Sequence, residues 1–194
     1  MKTDTPEPAE SSLLLPPAAS GTRLKILTYP EKVLLNPTGP LTDIDGRVQQ
    51  MIDSMAEAMY AAPGVGLAAN QVGWGKSLLI YDISPREEQR DLRVLINPRI
   101  IASEGQIVSE NEGCLSIPDY RADVKRAERI LIEGVDREGN PVRLEAEDFH
   151  AVVLQHEMDH LSGKLFIDRI SSLKRELYKR RVRKALMREN EDDA

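Results

Sequence analysis

Apolar residues recur at spacings of three and four between positions 43 and 61. They are Ile44, Val48, Met51, Ile52, Met55 and Met59, with Asp45, Arg47, Gln50, Asp53 and Glu57 between them. That period predicts an amphipathic helix over about 43–61 with one buried stripe, and its methionines read as core filling. Before it, LKILTYP (24–30) predicts a short extended run ending at Pro30. After it, GVGLAANQVGWG (64–75) is too rich in glycine to predict a regular element. Strand-like runs follow at 77–83, 93–96, 100–101, 107–108, 130–135 and 142–145, and Gly139-Asn140 predicts a hairpin turn between the last two. A second helix is predicted from Asp148, a residue type suited to the N-cap, to Leu161, with Gly163 as its stop signal. A third is predicted over 172–188. Strands in the middle and helices at the ends fit an α+β class. The expected architecture is a compact single domain, with antiparallel or mixed sheets around the second helix and a C-terminal helix added.

Residues 1–20 carry four prolines, no aromatic residue and no sustained period, so a disordered or loosely attached extension is expected there. The folded domain is expected over 21–188, and the acidic residues 189–194 as a frayed tail. Composition narrows the class further. Apolar residues make up 41% of the 194 and aromatics only 4%, so aliphatic side chains must fill the core. No run of eighteen apolar residues exists, which argues against a membrane-spanning helix. Leu13 to Leu15, stopped by Pro16 and Pro17, is too short for a signal peptide's apolar region. A lone cysteine, Cys114, forbids an intramolecular disulfide and favours a reducing, intracellular compartment. The net charge of −6 argues against a surface that binds nucleic acid all over.

The chemistry concentrates in the second helix, at His156-Glu157-Met158-Asp159-His160. Residues i and i+4 share a helical face, so both imidazoles can reach one metal ion. Glu157, beside the first of them, is placed to act as a general base. Only three histidines occur in the chain, and Val152, Val153, Leu154 and Leu161 make this a buried helix, where unpaired imidazoles would be costly. A catalytic site needs a third protein ligand. The long metzincin spacing would place it at position 166, which is Phe166, and Glu176 lies in a basic, solvated run. His150 lies nearly opposite His156 around the same helix. The remaining candidate is Cys114, in the Gly-containing turn Glu112-Gly113-Cys114-Leu115-Ser116, whose thiolate is a strong ligand for zinc or ferrous iron. Gly64-Val65-Gly66-Leu67-Ala68-Ala69 matches the loose dinucleotide pattern G-x-G-x-x-A, but a helix precedes it and a strand follows, the reverse of what that pattern needs. The glycines serve better to let backbone approach a ligand, with Gln71 as an amide donor.

GVGLAANQ (64–71), EGCLS (112–116) and QHEMDHL (155–161), in this order and at these separations, resemble peptide deformylase of the bacterial type. The resemblance runs from about Leu24 to Arg183 and includes RADVKRAERI (121–130) and the basic C-terminal helix. Asn70 stands where proline is common in the family, and residues 1–20 have no counterpart in its short forms. The resemblance implies a cytoplasmic, monomeric hydrolase. It would remove the formyl group from the N-terminal formyl-methionine of new polypeptides, releasing formate. It implies Cys114, His156 and His160 as ligands of one metal, Fe2+ in the family, replaceable by Zn2+, Ni2+ or Co2+. Glu157 becomes the general base, and the Leu115 N–H and the Gln71 amide become the oxyanion donors. Val65, Gly66, Glu112, Gly113, Arg121, Phe149 and Val152 are expected around the substrate.

Ser171 to Arg188 holds eight basic residues against one acid, Glu176, which leaves −13 on the rest of the chain. By composition this is a solvated helix; by the resemblance it is a candidate ribosome-docking element acting on RNA phosphates. Two other function classes remain to be separated at this stage. One is an HExxH-type peptidase cleaving internal amide bonds. The other is a ribosome-binding module without activity.

Overall fold

The computed structural model describes residues 23–85 and 89–192, so the extension expected at 1–20 lies outside the described residues. The elements run α1 (Gly46–Ala61), β1 (Gly66–Ala68), β2 (Leu78–Tyr81), β3 (Arg93–Glu104), β4 (Ile107–Cys114) and β5 (Ile117–Arg126). Then come β6 (Arg129–Val135), β7 (Pro141–Glu147), α2 (Asp148–Leu161) and α3 (Ser172–Asp192). Five strands form one sheet in the order β1-β2-β3-β6-β7, and β4 and β5 form a second. Every pairing between the named strands is antiparallel.

The larger sheet is covered on both faces, and the two-residue period of a strand shows how. Leu78 and Ile80 of β2, with Val94 and Ile96 of β3, pack against Met51, Ile52, Met55 and Met59 of α1. Leu79, Tyr81 and Leu95 point the other way, onto Ala151, Val153 and Leu154 of α2. The methionines of α1 are therefore core, as their spacing implies. Asp45 caps α1, its carboxylate accepting from Arg47 N–H at 2.9 Å and Val48 N–H at 3.1 Å. A third apolar cluster joins Ile117 and Val124 of β5 to Phe166, Ile167 and Tyr178, which seats α3.

The run 24–30 belongs to no named strand, and its backbone is tied down where Leu27 N–H donates to Gln71 C=O at 2.7 Å and Tyr29 N–H to Ser116 C=O at 2.9 Å. Several other expectations are corrected by tertiary context. The glycine-rich run 64–75 does contain regular structure. Gly66, Leu67 and Ala68 pair with Tyr81, Ile80 and Leu79, and residues 69–72 make a 3-10 turn. Runs 93–96 and 100–101 are one strand, interrupted where Pro98 offers no N–H and Asn97 takes φ of 50°. β4 extends through Cys114 rather than stopping at Val108, so Glu112-Gly113-Cys114 closes a strand, and the turn follows it. β5 is absent from the hydrophobic pattern because its inward positions are Ala122, Val124 and a charged residue, Arg126. Asp148 is not an N-cap. It is the first helical residue, at φ of 50°, its N–H held by Glu128 C=O at 2.9 Å, and this kink turns β7 abruptly into α2. α3 continues to Asp192, past the expected end at 188, since neither glycine nor proline interrupts it; the tail at 189–192 is helical backbone. Gly163 stops α2 as expected, at φ of 68°, where a Cβ would lie 2.7 Å from the Asn36 carbonyl carbon.

The end of β2 is tied to α1 by a buried carboxylate. Asp82 accepts from the Tyr60 hydroxyl at 2.7 Å, from Ser84 N–H at 2.9 Å and from Asp91 N–H at 3.0 Å. Burial alone would raise its pKa, but the bonds from Ser84 and Tyr60 outweigh it and hold the value below 3.8. A carboxylate with a depressed folded-state pKa contributes stability that is complete above its unfolded value and is lost as pH falls through the folded one. Tyr60→Phe should therefore cost about 1 kcal/mol at neutral pH. The difference from the parent should shrink as Asp82 protonates below pH 3.8. Urea unfolding at neutral and acid pH measures both.

Candidate metal centre

α2 runs through the middle of the domain with His156, Glu157, Asp159 and His160 all buried. The end of β4 brings Cys114 to it. One ligand atom from each of Cys114, His156 and His160 lies within 4.8 Å of the others, with Cys114 Sγ 3.1 Å from His160 Nε2. One thiolate and two imidazoles, buried together at this separation, fit a single divalent transition-metal ion at ordinary ligand distances of roughly 2.0–2.3 Å. The donor set leaves no fourth protein ligand among the described residues, as a catalytic rather than a structural site requires.

His156 is oriented from behind, whereas His160 Nδ1 has no hydrogen-bond partner among the described residues. Glu112 Oε1 lies 2.8 Å from His156 Nδ1, which leaves Nε2 to face the centre. Burial pushes the Glu112 pKa up, yet hydrogen bonds from His156 and Arg126 outweigh it and bring the value down to about 2. Burial also disfavours charge on both imidazoles. At His156 the neighbouring Cys114 and Glu112 overcome it and raise the pKa, whereas His160 is held well below its ordinary value by burial and by His156. The His160 carbonyl accepts from Asn70 Nδ2 at 2.6 Å, so asparagine at this position grips the end of α2.

Glu157 is fully enclosed, and burial pushes its pKa up to about 7, a value suited to exchanging protons near neutral pH. Its Oε2 has no hydrogen-bond partner among the described residues. Gly66 makes room for it: a Cβ there would lie 2.5 Å from Glu157 Oε1. Gln71 Oε1 accepts from Ala68 N–H at 2.8 Å. This turns Nε2 towards the centre, 3.1 Å from Ser116 Oγ and 3.7 Å from Cys114 Sγ. Leu115 follows Cys114 and lines the same cleft.

That cleft, about 400 Å³, is also lined by Val65, Gly66, Glu112, Gly113, Arg121, Phe149 and Val152, so every residue singled out in the sequence reaches it except His160, which lies beneath. Val65 and Phe149 stand exposed at its mouth. Arg121 lies across Gly113, where a Cβ would come 3.2 Å from its guanidinium carbon, and donates to Asn111 C=O at 3.2 Å. His150 stays outside, its ring 5.2 Å from that of Tyr81.

Two residues that matter here are not evident from motif spacing. Arg126, with its side chain fully buried, holds Glu112 with Nη2 at 2.5 Å and Nε at 3.1 Å, and reaches Asp159 with Nη1 at 2.6 Å. The available signals were an arginine at an inward position of an alternating strand and an aspartate on a buried helix. Removing the guanidinium would strand two buried carboxylates. Arg126→Met should thus destabilise the fold by about 3–5 kcal/mol, measured by urea unfolding.

The sequence pattern described as Polypeptide deformylase matches residues 23–176. The chain is 56% identical over 165 residues to the peptide deformylase of Desulfosudis oleivorans, covering 85% of this chain and 95% of that protein. A crystal structure of a peptide deformylase from Legionella pneumophila superposes with a TM-score of 0.78 at 38% identity, covering 87% of this chain and 98% of the other. A class I type b peptide deformylase from Acinetobacter baumannii, solved with Met-Ala-Ser bound, gives a TM-score of 0.72 at 32% identity, covering 77% and 99%. Sequence and fold agree across nearly the whole described domain, and the chain belongs to the polypeptide deformylase family.

Proposed function

We propose that this chain removes the N-formyl group from formyl-methionyl peptides by hydrolysis, and that Cys114, His156 and His160 hold the metal that the reaction needs. The observation that carries this reading is the enclosed Cys-His-His group with a buried, raised-pKa glutamate beside it, opening on a cleft between two strand edges. A metal held there would supply Lewis acidity for the formyl carbonyl and lower the pKa of a water. Glu157 accepts the proton of the attacking water on its carboxylate and passes it to the departing amine nitrogen. The Leu115 N–H and Gln71 Nε2 donate to the oxygen that gains negative charge in the transition state, and losing one such donor costs about 2.7–4 kcal/mol of barrier. We propose ferrous iron as the physiological ion, on family grounds, with zinc, nickel or cobalt able to replace it; a His₂Cys set suits several of these. A thiolate on ferrous iron is prone to oxidation, so activity should fall in air.

The substrate's path follows from the edges. β1 ends the larger sheet, and β4 pairs only with β5, so each has an unpaired side. The cleft lies between 64–66 and 109–115, and an extended peptide can add there as a strand. Val65, Phe149 and Val152 offer an apolar wall for the methionine side chain, with Glu112, Gly113 and Arg121 opposite. A peptidase that cleaves internal bonds is not favoured, because the third ligand candidate comes from a strand before the helix and, among the described residues, none is placed after it.

One chain supplies the whole site, in keeping with a monomer. No helix among the described residues is long and apolar enough to cross a membrane, and a nascent-chain substrate would place the enzyme in the cytoplasm. We propose that the basic face of α3 attracts ribosomal RNA. Deleting α3 would be a poor test, since Tyr178 is core. Glutamate at the exposed positions Lys174, Arg180 and Lys184 tests the charge alone, and cosedimentation with ribosomes should weaken most at low salt; unchanged binding rejects the docking role.

Glu157→Gln should keep one metal per chain and lose activity by at least a hundredfold, read as formate released from formyl-Met-Ala-Ser beside metal analysis of anaerobic protein. Near-normal turnover would remove Glu157 from the reaction. Cys114→Ala should lower metal content, and full occupancy would rule it out as a ligand.

A further inference from the structure

Arg169, between the 3-10 turn 166–168 and α3, sits at the outer end of a chain of charged groups that ends on a proposed metal ligand. Its Nε donates to Asp159 Oδ2 at 2.5 Å, and its Nη2 donates to Asp159 Oδ1, a two-point fork. The same Asp159 Oδ2 accepts from Arg126 Nη1 at 2.6 Å. Arg126 in turn forks onto Glu112, whose Oε1 lies 2.8 Å from His156 Nδ1. The interior of this chain is closed to water, whereas the Arg169 side chain is 41% exposed.

The charges do not balance without Arg169. Two buried carboxylates, Glu112 and Asp159, would share the single guanidinium of Arg126, which can give a full fork to only one of them. With Arg169 occupying both oxygens of Asp159, Arg126 is free to give its Nε and Nη2 to Glu112. We propose that Arg169 is a positioning residue for the metal centre: by satisfying Asp159 it commits Arg126 to Glu112, and so fixes Glu112 and the His156 ring. This inference rests on the reading of His156 as a metal ligand.

A competing effect has the opposite sign. Loss of a positive charge would by itself favour a bound cation, but Arg169 lies at the surface, where water screens that attraction. Loosening the carboxylate behind a ligating histidine typically costs 10–100-fold in affinity, so the orienting effect dominates.

The test measures metal affinity of the full chain by competition with a chelator, using Co2+ or Zn2+ at a temperature well below each variant's unfolding midpoint. Arg169→Gln should weaken binding about tenfold. Arg169→Lys, which restores the charge without the fork, should recover only part of it. In a Glu112→Gln background the Arg169→Gln effect should vanish, because the path to the histidine is already cut. A lowered midpoint with unchanged affinity, additive losses in the double variant, or tighter binding in Arg169→Gln would each overturn the proposal. Unchanged affinity in Glu112→Gln alone would overturn the relay as well, whereas a parent that bound no metal would instead remove the ligand reading itself. Should Arg169→Gln not fold, the lysine variant carries the comparison, and affinity equal to the parent's would overturn the relay.

Discussion

The burial of one guanidinium holds this molecule together around its active centre. Arg126 closes β5, grips Glu112 on β4 and reaches Asp159 on α2, so a single side chain joins the smaller sheet to the helix that carries the histidines. A buried ion pair adds little net stability compared with apolar packing, but it tolerates few geometries. The strand that delivers Cys114 and the helix that delivers His156 and His160 are thereby locked in one relation, as a site needing sub-ångström placement requires.

The rest of the fold serves the same placement. From Ala151 onward α2 is largely buried, between the β2–β3 face and the β4–β5 pair, and two of its charged or ligand side chains there have ionic partners: Glu112 for His156, and Arg126 and Arg169 for Asp159. Gln155 clamps the chain after β5, accepting from Ala127 N–H and donating to Ala127 C=O, both at 2.9 Å. Three side-chain atoms of α2, Glu157 Oε2, His160 Nδ1 and His150 Nε2, are buried with no hydrogen-bond partner among the described residues. Of these, the Glu157 oxygen belongs to the side chain proposed to move the proton, which stands against the backbone of Gly66.

Glycine does complementary work by absence. Gly66 lets the β1 backbone pass against Glu157, and Gly113 lets Arg121 lie flat over β4. Both sit on the strand edges that border the cleft. The run 64–75 was unreadable as a regular element because its pairing comes entirely from β2, a partner ten or more residues away. β5 carries no clear hydrophobic period for a related reason: its inward face is completed by Arg126, a charged residue, and only the alternation of buried and exposed positions marks it as a strand.

Local rules suffice for α1, α2 and Gly163, because an apolar stripe at helical period and a left-handed stop act within a few residues. They also suffice for the chemistry of the second helix, since two imidazoles four residues apart share a face whatever surrounds them. The motif order, with Gln71, Cys114 and the histidine pair, was enough to name the family. Only the tertiary structure decided that 112–114 is a strand end rather than a turn, that Asp148 is a kink rather than a cap, and that Arg126, Asp159 and Arg169 stand behind the centre. Those outcomes depend on which distant chain segments satisfy each buried polar group, and a one-dimensional pattern carries period and composition but not partners.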